Sequence, residues 1–217
     1  LGNESAKSEA GYVVIDLTDP AVPAMLPLPA FTNAMGVGLV WATGDDAVRY
    51  EVEYSIAGAV TTVSDIGIQA LNLDISSAVD GNVITAKVRA YDAVGNVSGW
   101  SDVVSTTVDR TRPVVNTVTT PTSPTNNPRP TWAWSGDDEV SEVDYYIVAL
   151  GSELPFETEG TSFTPASNLA DGTHVLKVKA VDIVGNVGTE VPFAAVVVDT
   201  TAPAVPGMPV PEEDPTN

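Results

Sequence analysis

A Gly-Asn pair is followed thirteen residues after the Asn by an Asp, and soon after that by a Pro, at three places: Asn3 to Asp16, Asn96 to Asp109 and Asn186 to Asp199. The copies stand 93 and then 90 residues apart. A fixed period of that length marks one folded unit repeated head to tail. It divides the 217 residues into a tail over 1–19, one copy over 20–110, a second over 111–201 and the head of a further copy over 202–217. The tail carries YVVID, a β-branched and aromatic run, so residues 9–16 are expected to be the last strand of a preceding copy.

Within each copy the apolar pattern has a period of two. RYEVEYSI puts Tyr50, Val52, Tyr54 and Ile56 on one face and Arg49, Glu51, Glu53 and Ser55 on the other. ITAKVRAY separates Ala86, Val88 and Ala90 from Lys87 and Arg89 in the same way, which is the signature of a half-buried antiparallel strand. Further strands are expected at 37–41, 60–63, 68–73 and 102–109. The second copy repeats the plan: Trp132-Ala133-Trp134 matches Leu39-Val40-Trp41, HVLKVKAV follows Asp171-Gly172 as ITAKVRAY follows Asp80-Gly81, and 190–199 closes the unit. In this alignment His174 falls one residue before a core-facing Val175. About seven short strands per copy, with Gly, Asp, Asn and Pro turns and no sustained helical period, give an all-β chain of two tandem antiparallel sandwiches.

Charge and composition remove several classes of function. With 29 acidic residues against 9 basic ones the net charge is −20, which repels nucleic acid and anionic membrane surfaces and favours divalent cations. No apolar run approaches the length of a membrane span. The absence of Cys excludes disulfides, thiol nucleophiles and Cys-ligated zinc. No catalytic set is legible, because His174 is the sole histidine and neither copy supplies a reproducible base for its many Ser and Thr. The Gly-Asn pairs lead into no helix and no Lys, so they form no phosphate loop.

VRAYDAVGNVSGWSD in the first copy, and PTWAW, VKAVDIVGNVG and VVDTTAP in the second, resemble the fibronectin type III-like and bacterial immunoglobulin-like repeats of large bacterial surface adhesins. The resemblance spans nearly the whole chain. Gly99-Trp100-Ser101 brings the first copy nearer the type III pattern. Both copies depart from it at the corner tyrosine, with Ile84 and Val175 three residues after the turn glycine. The resemblance implies a seven-stranded sandwich, an extracellular setting and a structural role.

In such a sandwich the incoming linker and the loops after the second and sixth strands meet at one pole. That would gather Asp16, Asp19, Asp45, Asp46 and Asp92 in the first copy, and Asp109, Asp137, Asp138 and Asp182 in the second. Carboxylates so placed repel one another unless offset, and calcium, which takes six to eight oxygens in flexible geometry, is the expected ligand. Two plainer readings stand beside it. Asp92 and Asp182 can cap their own hairpin turns, with Gly95 and Gly185 supplying positive φ. Arg110 and Arg112 can neutralise the second set, which makes the first set the cleaner test.

The function expected from these features is a spacer in a long extracellular bacterial protein, an adhesin or other fibre. Its partners would be adjacent repeats of the same chain, with lateral self-association as a further option and neither nucleic acid binding nor membrane insertion. Other readings are a binding module that stacks a sugar on Trp100, and an accessory spacer of a secreted polysaccharide-degrading enzyme. Donation of the strand over 9–16 to another subunit is disfavoured, because each copy owns its last strand.

Overall fold

The computed structural model describes residues 15–207 apart from 45. Most of the tail strand over 9–16 and most of the head over 202–217 therefore lie outside the described residues, as does Asp45. The chain divides between Arg110 and Thr111 into two compact units, each all-β. No helix among the described residues is long and apolar enough to cross a membrane.

The first unit stacks two sheets. One runs β1 (Ala24–Met25), β3 (Gly36–Ala42) and β6 (Ala70–Asp74) in the order β1-β3-β6. The other, of five strands, comprises β2 (Phe31–Thr32), β8 (Val104–Val108), β7 (Val83–Tyr91), β4 (Arg49–Ile56) and β5 (Ala59–Ile66), in that order. The alternation read from sequence holds: Val37, Leu39 and Trp41 from β3 meet Tyr50 and Val52 from β4 and Ile84, Ala86, Val88 and Ala90 from β7 in one core. Trp41 sets its ring edge-on to Tyr50 at 5.4 Å. The leading strand divides in two because Pro27 and Pro29 offer no N–H to a ladder. Before them β1 pairs antiparallel with β3, and after them β2 pairs parallel with β8.

The second unit contains β9 (Val114–Thr119), β10 (Trp132–Asp137), β11 (Val143–Leu150), β12 (Phe156–Thr158), β13 (Ser162–Phe163), β14 (Gly172–His174), β15 (Leu176–Asp182), β16 (Val191–Pro192) and β17 (Val196–Val198). Its sheets run β13-β10-β9, β12-β11-β15-β16 and β14-β17. Trp134 repeats the packing of Trp41, edge-on to Tyr146 at 5.7 Å.

Three expectations need correction. The described residues hold eight strand segments in the first unit and nine in the second, not seven, because prolines and register breaks divide several strands. The closing strands also cover less than 102–109 and 190–199. Val175 does not face the core: the long strand breaks there, β14 pairs with β17, and Leu176 takes the buried position. His174 is half-buried, with Nε2 2.9 Å from the Ala170 carbonyl.

Trp100 has a structural role. The Lys87 ammonium stands 4.7 Å and the Arg89 guanidinium 4.6 Å from its ring centre, and Arg89 is itself held by Glu51 at 2.7 Å. Ser98 and Ser101 on either side fasten this irregular segment to β7. The N–H of each donates to a β7 carbonyl, at 2.9 and 2.8 Å, and the hydroxyl of each accepts the N–H of that same β7 residue, Ala90 or Val88.

Candidate functional site

The site grows from the hairpin that follows β7. Gly95 has a φ of 104°, a region costly for any residue with a Cβ, and this lets the chain fold back over Asp92. Asp92 Oδ1 accepts the backbone N–H groups of Val94, Gly95 and Asn96 at 3.0, 2.6 and 2.8 Å. Oδ2 accepts the Asn96 side-chain amide at 2.7 Å. Only 2% of Asp92 is exposed. Burial pushes its carboxyl up, but the hydrogen bonds from Asn96, Gly95 and Val94 outweigh it and hold the group below the ordinary Asp range.

The same amide nitrogen of Asn96 donates to the carbonyls of Asp16 and Thr18, both at 3.1 Å. The hairpin therefore grips the segment that leads into the unit. Asp16 stiffens that segment by accepting the Thr18 N–H at 3.0 Å. In the sequence, Asn96 stands out only as half of the repeated Gly-Asn pair. Its invariant place after Gly in the repeat was the available signal, but nothing in the sequence shows that its amide reaches residues almost eighty positions away.

Asp16, Asp46 and Asp92 each bring a carboxylate oxygen to within 4.8 Å of the others. Asp19 is exposed and does not belong to this group, and Asp45 lies outside the described residues. Oδ1 of Asp92 is saturated by three donors, so Oδ2 is the atom it can offer a cation. Together with the carboxylates of Asp16 and Asp46 it makes a hard, all-oxygen donor set, the chemistry that a divalent cation such as calcium requires.

The second unit repeats the hairpin. Asp182 Oδ1 accepts the N–H groups of Val184 and Asn186 at 3.0 and 2.8 Å, and Oδ2 accepts the Asn186 amide at 2.7 Å. Asp138, on the loop after β10, accepts from Val140 and Ser141 through Oδ1, while its Oδ2 is buried without a hydrogen-bond donor. That orphaned oxygen belongs to a carboxylate within 4.8 Å of that of Asp182. Two anionic groups this close with an unsatisfied oxygen fit a cation. Asp137, at the end of β10, is exposed and lies outside this pair. Asp109 follows β8 and donates its N–H to the Thr32 carbonyl. Arg110 does not serve as a neutralising base: its guanidinium donates to the carbonyls of Asn33, Ala34, Ile75 and Ala78 at the far end of the first unit.

Residues 118–200, which contain this second hairpin, match the family described as bacterial Ig-like domain. That match falls within the second unit and covers well under half of the chain. Two curated proteins align along most of the chain. Exoglucanase B of Cellulomonas fimi is 31% identical over 213 residues, covering 90% of this chain and 19% of its own length. Chitinase A1 of Niallia circulans is 30% identical over 200 residues, covering 88% of the chain and 28% of its own. The chain thus spans only a minor part of either relative. Among solved structures, titin domains superpose with a TM-score of 0.52 at 13% identity over 82% of this chain and 67% of that one, a likeness of fold alone. The fibronectin(III)-like modules of Clostridium thermocellum CbhA align at a TM-score of 0.46 and 12% identity, over 82% and 94%. Both units are all-β, and the superposition on titin domains is a likeness of fold.

Proposed function

We propose that this chain is a non-catalytic spacer segment of a larger extracellular bacterial protein, stiffened at the leading end of each unit by calcium. The observation that carries the reading is the Asp92–Asn96 hairpin, which binds the incoming segment by its backbone beside three converging carboxylates. A device that fixes the path of the chain into a domain serves an array, in which neighbouring repeats of the same chain are the partners. Side-by-side association of chains is compatible with this role but has no observation of its own in support.

Two parents fit a spacer. One is a surface adhesin or fibre, as the repeat pattern suggests. The other is a secreted polysaccharide-degrading enzyme, and this parent gains support from the matches to an exoglucanase and a chitinase in which the aligned part is 19% and 28% of the whole. The glycan-binding reading loses its anchor, since Lys87 and Arg89 already cover the Trp100 ring.

Calorimetric titration of the chain with calcium tests the metal. Binding with Kd of about 10⁻⁴ to 10⁻³ M is expected, with heat that falls when Asp46→Asn and Asp138→Asn are combined. At a hundredfold excess over Kd the ion adds about 2.7 kcal/mol to stability, which appears as a rise in Tm. Equal heats in the wild-type and the double variant, or none in either, would remove calcium and leave the spacer reading standing.

A further inference from the structure

The two units secure their outgoing segments by different chemistry at matching places. Each has an Asp-Gly pair at the head of a strand, Asp80-Gly81 before β7 and Asp171-Gly172 at β14, and an Asp after its closing strand, Asp109 or Asp199. The residue that follows is Arg110 in the first unit and Thr200 in the second. Its N–H donates to the turn aspartate in both, to Oδ1 of Asp80 and of Asp171. Beyond that bond the first unit relies on the Arg110 guanidinium, which donates to the carbonyls of Asn33, Ala34, Ile75 and Ala78. Neither a guanidinium nor a peptide carbonyl changes its charge in acid.

In the second unit the hold falls chiefly on one carboxylate. Asp171 Oδ1 accepts the Thr200 N–H at 2.8 Å and the Thr200 hydroxyl at 2.7 Å, and Oδ2 accepts the Thr201 hydroxyl at 2.6 Å. Hydroxyl bonds this short to an ionised oxygen are of the stronger, charge-assisted kind. The Thr201 hydroxyl, then the Thr200 hydroxyl and N–H, keep the Asp171 carboxyl below the ordinary Asp range. β17 itself is secured without them: it pairs with β14, and the Thr125 carbonyl accepts the Asp199 N–H at 2.9 Å. Loss of the Asp171 bonds would therefore free Thr200 and Thr201 without dismantling the sheet.

Asp199, His174 and Arg129 bring the neighbouring charges. Asp199 Oδ1 accepts the Thr201 N–H at 3.0 Å. His174, in β14, has Nε2 2.9 Å from the Ala170 carbonyl, so that nitrogen carries the hydrogen; an added proton goes to Nδ1 and leaves the bond in place. The leading segment that meets β17 at Ser123 and Thr125 carries Arg129, whose Nε donates to the Pro165 carbonyl. We propose that Asp171 is an acid-released latch on the segment leaving the second unit, a device the first unit lacks because Arg110 takes its place. Protonation turns one carboxylate oxygen from an acceptor into a donor, opposite a hydroxyl or N–H that was bonded to it. Because the folded value is depressed, the latch holds fully above the unfolded Asp value and opens as pH falls through the lower folded value. Below that point the outgoing segment of the second unit is free, while Arg110 still holds that of the first. This rests on neither the spacer role nor calcium.

The test is backbone ¹⁵N relaxation of the chain as the solution is taken stepwise from about pH 7 to about pH 2. Order parameters at Thr200 and Thr201 should fall from about 0.85 to below about 0.6, while Val197, Val198 and Arg110 keep their neutral-pH values. Asp171→Asn, uncharged at every pH and close to isosteric, should produce the same loss already at neutral pH. His174→Gln should leave the acid transition where it is in the wild type. The proposal is overturned if Thr200 and Thr201 stay ordered in acid, if Arg110 loosens in step with them, if Asp171→Asn keeps them ordered at neutral pH, or if His174→Gln removes the transition. Should acid unfold the whole unit, Val197 and Val198 lose order as well, and the Asp171→Asn relaxation at neutral pH decides.

Discussion

Asn96 shows how much one side chain can organise. Its amide nitrogen joins the Asp92 carboxylate to two linker carbonyls. Asn96→Ala should cost the first unit about 1 to 2 kcal/mol by denaturant titration and should speed hydrogen exchange at the Thr18 amide. Asp92 carries a pH dependence whose sign follows from its depressed folded pKa. Its contribution to stability is fully present above the unfolded Asp value and is lost as pH falls through the lower folded value. Stability of the first unit should therefore fall on acidification below about pH 4, and Asp92→Asn should flatten that slope in an acid titration followed by tryptophan fluorescence. A pH profile identical to wild type would show that the hairpin does not depend on the ionised carboxylate. Arg110, expected to neutralise aspartates, instead gathers four carbonyls, so Arg110→Ala should lower stability by about 2 kcal/mol or more.

At the scale of strands, the pattern of two was legible wherever one face meets the core. β3, β4 and β7 keep their sequence-assigned faces because a one-residue slip would turn every apolar side chain to water. Ile84→Ala, at a fully buried position in β7, should cost about 2 to 5 kcal/mol in chemical denaturation, whereas Thr85→Ala beside it should be close to neutral. The same reasoning failed at Val175. There the two copies differ by one position, and aligning turn glycines could not reveal that the second copy breaks its strand before Leu176. It was also silent on the segment around Trp100, whose attachment to β7 runs through Ser98 and Ser101 hydroxyls and not through a strand ladder. Of the nine aspartates singled out as cation ligands, the structure groups Asp16, Asp46 and Asp92 in one unit and Asp138 with Asp182 in the other. Sequence could name the loops that converge but not which of two adjacent aspartates on a turn would point inward.

For the molecule as a whole, the recurrence of one hairpin in two all-β units fits a function built from repetition, with stability that is close to a sum over units. The proposed spacer, stiffened by a cation, draws its support from the acidic composition, the gripped leading segment and the converging carboxylates. The most direct measurement is ¹⁵N relaxation of the full chain in calcium and again after chelation. The account predicts a common rotational correlation time for both units in calcium and distinct, shorter times without it. Identical relaxation in the two conditions would contradict it.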